Sequence, residues 1–209
     1  LQGAVAEAAA ELGGIRLPDD FELLDVAGQG SCAITFRAAH RGETVAVKAY
    51  RPRVAERYRK NHDLNIAVYE MSRNREFRKD QSLFPFSARP IMVLGHDGRL
   101  SLCFVQEYIE GTPLTELAPR NRGVPASVLD AGKTIVGAAE KAGLEELDLD
   151  YRNVILREQK GRWLPVIHDF NHIPGEKPGG LAGLFKGKPR DNRQMVDEWF
   201  EFSRQCAGD

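Results

Sequence analysis

From Asp148 onward, acidic turns and short β-rich runs alternate in an order that leaves few folds open. Asp148-Leu-Asp-Tyr-Arg-Asn153 leads into the run Val154–Leu156, and a second run, Trp163–His168, ends in Asp169-Phe170-Asn171. Lys160-Gly161 lies between the two runs, so a strand, a turn and a strand stand between an Asp/Asn pair five residues apart and a further Asp. Upstream, in order, come a glycine pair (Gly28, Gly30) and a lysine closing the alternating run Val45-Ala-Val-Lys48. Any one of these strings is commonplace. Four of them in this order are not.

The 209 residues carry 42% hydrophobic and 28% charged side chains with a net charge of −1, enough for one substantial core or two small lobes. That balance gives no global argument for a nucleic-acid partner. The local basic runs Arg51–Lys60 and Arg73–Lys79 read as solvated helix faces. Three scattered cysteines (Cys32, Cys103, Cys206) form no metal or disulfide spacing and fit a reducing compartment, so the cytoplasm is the expected location. No apolar run reaches the ~18 residues of a membrane span. Gly3–Leu12 lacks a basic flank and carries Glu7 and Glu11, which predicts a helix and not a signal peptide.

Residues 21–108 read as five strands with one inserted helix. Phe21–Ala27 runs into Gly28-Gln-Gly30; Cys32–Ala39 and Glu43–Tyr50 flank the turn His40-Arg41-Gly42; Ile91–Leu94 and Arg99–Tyr108 flank His96-Asp97-Gly98. Between them, roughly Ala55–Lys79 predicts one long basic helix with Leu64, Ala67, Val68 and Met71 as its apolar stripe. Beyond Glu110-Gly111 the pattern turns helical. Thr112-Pro113 predicts a helix start, with Thr as N-cap and Pro at the first helical position. Ser127–Ala142 is amphipathic (Leu129, Ile135, Val136 and Ala139 inward) and stops at Gly143; Pro174–Arg190 predicts a loop; Asp191 caps a last helix with Met195, Trp199 and Phe202 on one face. The expectation is an α+β chain: a helical extension over 1–20, a sheet-based lobe over 21–108 and a smaller, mostly helical lobe over 109–209.

Alternation places Ala46 and Lys48 on one face of their strand. A small residue there lets an adenine ring lie flat, and the lysine beyond it reaches phosphate oxygens as a point charge. Standing alone, Lys48 would read as a solvated strand lysine; the surrounding strings argue otherwise. Such a lysine needs a carboxylate to hold it. Glu70, beside the apolar stripe, is favoured over Glu76 and Glu56. Gly28 and Gly30 supply freedom for backbone N–H groups to approach phosphates, with Ala33 where a third glycine would give more. Asp148 is placed to accept a hydroxyl proton, while Asn153 and Asp169 are placed to hold a divalent metal. The bland alternative is a pair of hairpin-flanking turns, since Asp and Asn are ordinary turn residues. A second alternative, a transition-metal cluster of His168, Asp169 and His172, is disfavoured by the strand-like run before it and by Pro174 after it.

Taken together these strings resemble the protein-kinase-like fold over roughly residues 21–172: a glycine loop at Gly28-Gln-Gly30, a strand lysine at Lys48, a lobe-linking segment Gln106-Glu-Tyr-Ile109, a catalytic loop Asp148…Asn153 and a metal-binding Asp169-Phe-Asn171. Among its branches the chain is most similar to small bacterial ones, the YrbL-like proteins of the PhoP regulatory network and the lipopolysaccharide-core (Kdo/heptose) kinases. The clues are compact length, the basic helix before Phe84-Pro85, about 40 residues after Asp169, and no Ala-Pro-Glu element. The resemblance implies an ATP- and Mg²⁺-dependent phosphotransferase with a two-lobed architecture, an antiparallel-sheet N-lobe and a reduced C-lobe. Adenine would lie between Ala46 and Ile155, with backbone groups of Glu107 and Ile109 on its edge and Gln106 behind it. The acceptor it implies is a sugar hydroxyl on a cell-envelope glycolipid, with peripheral contact to an anionic inner-membrane surface through the basic helix and Lys186–Arg193. The chain departs from the family pattern at Glu146-Leu147, in place of His-Arg, and at Asp150, where Lys or Ser/Thr is usual. Asp150 is a candidate catalytic residue with Asp148 and Lys48, yet beside Asp148 it adds negative charge where a phosphate must pass. That keeps open a catalytically impaired, kinase-like binding module. A protein Ser/Thr kinase is the third reading.

Overall fold

Two adjacent strands of opposite direction organise the first half of the chain. In the computed structural model, which describes residues 2–173 and 191–208, β2 (Ala33–His40) and β3 (Glu43–Tyr50) pair from Ala33↔Tyr50 to His40↔Glu43. Arg41 and Gly42 between them have φ of 49° and 80°. Two positive φ values in a two-residue loop give the turn whose twist matches the flanking strands, and glycine adopts that conformation without a Cβ clash. β1 (Phe21–Gln29) pairs with β2 through two register shifts that bend it. β5 (Cys103–Glu107) pairs with the other side of β3, and β4 (Pro90–Leu94) with β5, giving the antiparallel order β1-β2-β3-β5-β4. β5 is shorter than the expected Arg99–Tyr108 because Ser101 is drawn off elsewhere: its N–H donates to the Arg16 carbonyl, and its hydroxyl accepts from the Arg16 N–H.

The N-terminal helix α1 (Gln2–Glu11) is no appendage. Ala8, within it, and Leu12, just beyond, are buried in the same apolar cluster as Phe36, Val47 and Val105 of the sheet. The chain divides into two compact units. The first takes the chain up to Arg73 together with Ala88–Tyr108, and the second takes Asn74–Ser87 with everything from Ile109 on. The expected boundaries at 20/21 and 108/109 therefore need two changes: α1 joins the sheet unit, and 74–87 leaves it.

The long helix expected over Ala55–Lys79 is two helices, α2 (Pro52–His62) and α3 (Ile66–Phe77). Asp63 ends α2 in the left-handed region at φ 52°, its N–H returning to the carbonyls of Tyr58 and Arg59. Asn65 then restarts the chain, its Oδ1 accepting from the N–H groups of Ala67 and Val68. Short polar residues that tolerate left-handed φ and cap helices outweigh the continuous helical composition. The break also rotates the buried face. Ile66, Ala67, Glu70, Asn74 and Phe77 point inward, whereas Val68, expected in the apolar stripe, is exposed.

In the second unit β7 (Val154–Gln159) and β8 (Arg162–Ile167) pair across Lys160-Gly161, with φ of 51° and 74°, the same turn geometry as Arg41-Gly42. Thr112-Pro113 does not start a helix. The two residues form β6 (Thr112–Pro113), paired with Leu156 and Ile155, and α4 (Leu114–Arg120) begins one residue later. The proline φ of −54° suits either role, and the ladder with β7 takes it. α5 (Ala126–Lys141) and α6 (Asn192–Ala207) pack on each other, and a Cβ on Gly132 would meet Val196 at 2.9 Å and Trp199 at 3.1 Å. Asp191 forms a reciprocal capping box with Gln194 at the start of α6. Trp199, Phe77, Leu149, Ile135 and Leu156 share the core of this unit. The loop expected at Pro174–Arg190, and with it most of the basic stretch Lys186–Arg193, lies outside the described residues.

Candidate active site

In the first unit, β3 carries Ala46, Lys48 and Tyr50 on one face by its two-residue period. All three are buried. The Lys48 ammonium donates to Glu70 Oε1 at 2.9 Å, and the Tyr50 hydroxyl donates to Glu70 Oε2. Glu70 itself is fully buried on α3. Glu76, by contrast, is exposed, and Glu56 pairs with Lys60 on the surface of α2. A buried ion pair of this kind persists only when further hydrogen bonds satisfy the carboxylate. Tyr50 supplies one, a partner that the strand alternation already pointed to and that residue-by-residue reading of the lysine missed.

Gly28 lies inside β1, opposite Thr35, and only 30–32 form the connection to β2. Neither Gly28 nor Gly30 has a positive φ, and a Cβ at Gly28 would meet nothing within 4 Å. The open space lies over Gly28, whereas a Cβ on Gly30 would meet the Ala33 carbonyl oxygen at 3.4 Å. Behind β3, Ala46 pairs with Gln106 of β5, which is buried. The Glu107 N–H donates to the Arg89 carbonyl, and the Glu107 carboxylate accepts from the Arg89 N–H.

In the second unit Asp148 sits at the apex of a tight turn: the Leu149 N–H reaches back to the Leu147 carbonyl at 2.6 Å, and Glu146 before it is left-handed at φ 46°. Buried Leu147 and Leu149 anchor the turn on either side. α6 then holds it. Asn192 Oδ1 accepts from the Leu147 N–H at 2.7 Å while its Nδ2 donates to the Leu144 carbonyl, and the Trp199 indole N–H donates to the Leu149 carbonyl at 2.8 Å. Both side chains come from 45 or more residues downstream. Trp199 had read only as part of an apolar face, and Asn192 carried no sequence signal at all.

Asn153 ends a short 3-10 turn (Tyr151–Asn153) and donates to the Asp148 carbonyl at 3.4 Å. Asp169, just past β8, accepts from the Asn171 N–H. Ile155 is half-buried on β7, and Ile109 is buried. Burial pushes the Asp148 carboxyl up, and the neighbouring charges of Asp169 and Asp150 add to this, against His172 and Asn153. A carboxylate whose folded pKa is raised costs stability once pH rises above its unfolded value, about 3.9. Asp148→Asn is therefore expected to raise the thermal midpoint at neutral pH, with the gain vanishing as pH falls below that value. Melting curves of both proteins between pH 3 and 8 test this, and an equal difference at every pH would contradict it.

Asp150 does not lie as an open negative charge beside Asp148. It is buried, caps the 3-10 turn through the Arg152 N–H, and receives Arg152 Nε at 2.7 Å and Nη2 at 2.6 Å. The two-pronged guanidinium contact sets a positive charge against the carboxylate, although Asp150 still adds to the upward push on Asp148. His172 Nε2 lies 3.4 Å from Glu146 Oε2, not in a metal cluster with His168. Among the described residues no three His, Cys, Asp or Glu side chains gather as a closed metal cage requires.

No protein-family profile and no curated protein matches the chain. Solved structures do. A singly substituted form of the PknI kinase domain of Mycobacterium tuberculosis superposes with a TM-score of 0.58 at 18% identity over 89% of this chain and 76% of that one. A doubly substituted form gives 0.52 at 20% identity over 73% and 60%. The apo form of PpkA-294 gives 0.55 at 19% identity over 74% and 59%. This chain has a protein-kinase-like fold. It spans about 60% of the length of two of these neighbours. At such identities the likeness concerns the fold alone. Were Asn153 and Asp169 to hold a metal, one amide oxygen and one carboxylate would suit Mg²⁺ better than a transition metal, leaving most positions to phosphates and water.

Proposed function

We propose that the protein is an ATP- and Mg²⁺-dependent phosphotransferase acting on an alcohol hydroxyl. The observation that carries this is the buried Lys48–Glu70 pair, completed by Tyr50. A charged pair taken out of water at this cost is unusual in a structural role, and an ammonium held by its carboxylate is a fixed point charge for phosphate oxygens. Lys48 and the turn after Gly28 would bind the phosphates. Adenine would lie against Ala46 and Ile155, with Gln106 behind and the Ile109 backbone on its edge. Because the Glu107 N–H is taken by Arg89, that residue would meet the base through its carbonyl. Mg²⁺, held by Asp169 and Asn153, would neutralise charge on the phosphates. Asp148 would orient the acceptor hydroxyl and take its proton as the new oxygen–phosphorus bond forms and ADP leaves. Its raised pKa suits that exchange.

For the acceptor we infer a sugar hydroxyl on an anionic cell-envelope glycolipid, on resemblance to the small bacterial branches. Exposed Arg53, Arg57, Arg59 and Lys60 on α2 support an approach to an anionic headgroup surface from the cytoplasmic side. Among the described residues no helix is long and apolar enough to cross a membrane. A serine or threonine of a protein is the competing acceptor. Thermal melting with excess MgATP tests the nucleotide reading, with a gain of about 2.7 kcal/mol expected at a hundredfold excess over the dissociation constant. No shift would count against it. Transfer from labelled ATP to envelope glycolipids rather than to protein substrates tests the acceptor, and ATP held without any turnover would favour a binding module.

A further inference from the structure

Arg51, the residue after β3, grips the β1–β2 turn and the N-terminal helix at the same time. Its backbone N–H donates to the Cys32 carbonyl at 3.0 Å, and its Nε donates to the Gly30 carbonyl at 3.2 Å. Its Nη1 and Nη2 both donate to Glu11 Oε2 on α1, at 3.2 and 3.1 Å. The Arg51 side chain is 17% exposed and that of Glu11 49%. The turn itself has little else to hold it. The Gly30 N–H closes it onto the Ala33 carbonyl at 2.9 Å, but 30 and 31 are exposed, and open space lies over Gly28.

A peptide unit is planar and trans, so its C=O and N–H point in opposite directions. Turning the Gly30 carbonyl toward Arg51 therefore turns the Ser31 N–H away from it. We propose that Arg51, locked by Glu11 of α1, is a positioning residue that aims the Ser31 amide of this turn at the phosphates of the bound nucleotide. The proposal rests on the nucleotide reading above. It makes α1 part of the phosphate-binding apparatus: a helix packed on the sheet through Ala8 fixes Glu11, Glu11 fixes the guanidinium, and the guanidinium fixes one peptide plane. Without the strut, the Gly30–Ser31 peptide is free to rotate, because glycine on one side of it imposes little torsional preference.

The experiment is calorimetric titration of MgATP and, separately, of adenosine into the wild type, Arg51→Ala, Arg51→Lys and Glu11→Gln. Arg51→Ala is expected to weaken MgATP about tenfold, the scale of one ordering hydrogen bond to a charged group. Arg51→Lys should behave nearly the same, since an ammonium does not span both the carbonyl and Glu11 in one plane. Glu11→Gln, a change at a half-exposed carboxylate that leaves the packing of α1 alone, should cost about threefold. Adenosine, which has no phosphates, should bind all four proteins equally. Wild-type MgATP affinity in Arg51→Ala, or a parallel loss for adenosine, overturns the positioning role. If Arg51→Ala does not fold, Glu11→Gln and Arg51→Lys decide by the same comparison. Absence of MgATP binding in the wild type would instead overturn the nucleotide reading on which the strut depends.

Discussion

Glu70→Ala is expected to cost about 3–5 kcal/mol in urea unfolding, because it breaks a buried ion pair with the Lys48 ammonium and a buried hydrogen bond from the Tyr50 hydroxyl at one stroke. The effect should be asymmetric in a way that exposes its cause. Lys48→Met combined with Glu70→Leu removes both charges, and the double variant should be more stable than Glu70→Ala, since two apolar side chains need no desolvation penalty to be repaid. Activity should move the other way. Lys48→Met and Glu70→Gln should each depress phosphate transfer to a similar extent and combine non-additively, as expected of groups acting as one unit. Additive losses would mean that Glu70 does not act through Lys48.

Asp148→Asn should lower transfer by about 10²–10⁴-fold, the usual range for a lost proton acceptor, while leaving nucleotide affinity nearly intact. Asp169→Asn should abolish transfer by another route, removing the Mg²⁺-dependent part of nucleotide stabilisation. The pair separates the roles because the two carboxylates are electrostatic neighbours: Asp169 is among the causes of the raised Asp148 pKa. Nucleotide melting shifts with and without Mg²⁺, set beside single-turnover transfer, check this. If both variants lose nucleotide binding equally, the division of labour is wrong.

Much of this chain is legible before any coordinates. The alternation of Val45-Ala-Val-Lys48 fixes which side chains share a face, and the Arg41-Gly42 and Lys160-Gly161 turns fix two hairpins, since few residues adopt two successive positive φ values. Asp191 announces the start of α6, and the structure adds Gln194 as its capping-box partner. The helix expected over Ala55–Lys79 was misread because propensity is a weak prior beside two local interactions, the left-handed Asp63 and the Asn65 cap. Of the expected stripe Leu64, Ala67, Val68 and Met71, Ala67 is fully buried, Leu64 and Met71 are half-buried and Val68 is exposed, while Glu70 beside it does point inward.

The sequence alone therefore determined the order of the parts, the faces of β3, the turns and the spacing of Asp148, Asn153 and Asp169, because each depends on backbone sterics and periodicities a few residues long. Tertiary structure alone decided which carboxylate meets Lys48, that Arg51 ties α1 to the β1–β2 turn, and that Asn192 and Trp199 hold the Asp148 turn. The Glu70, Arg51, Asn192 and Trp199 contacts join residues about 20 to 50 positions apart, and no local rule encodes such pairings. They form when burial strips water from a polar group and the nearest partner that packing brings within reach must replace it.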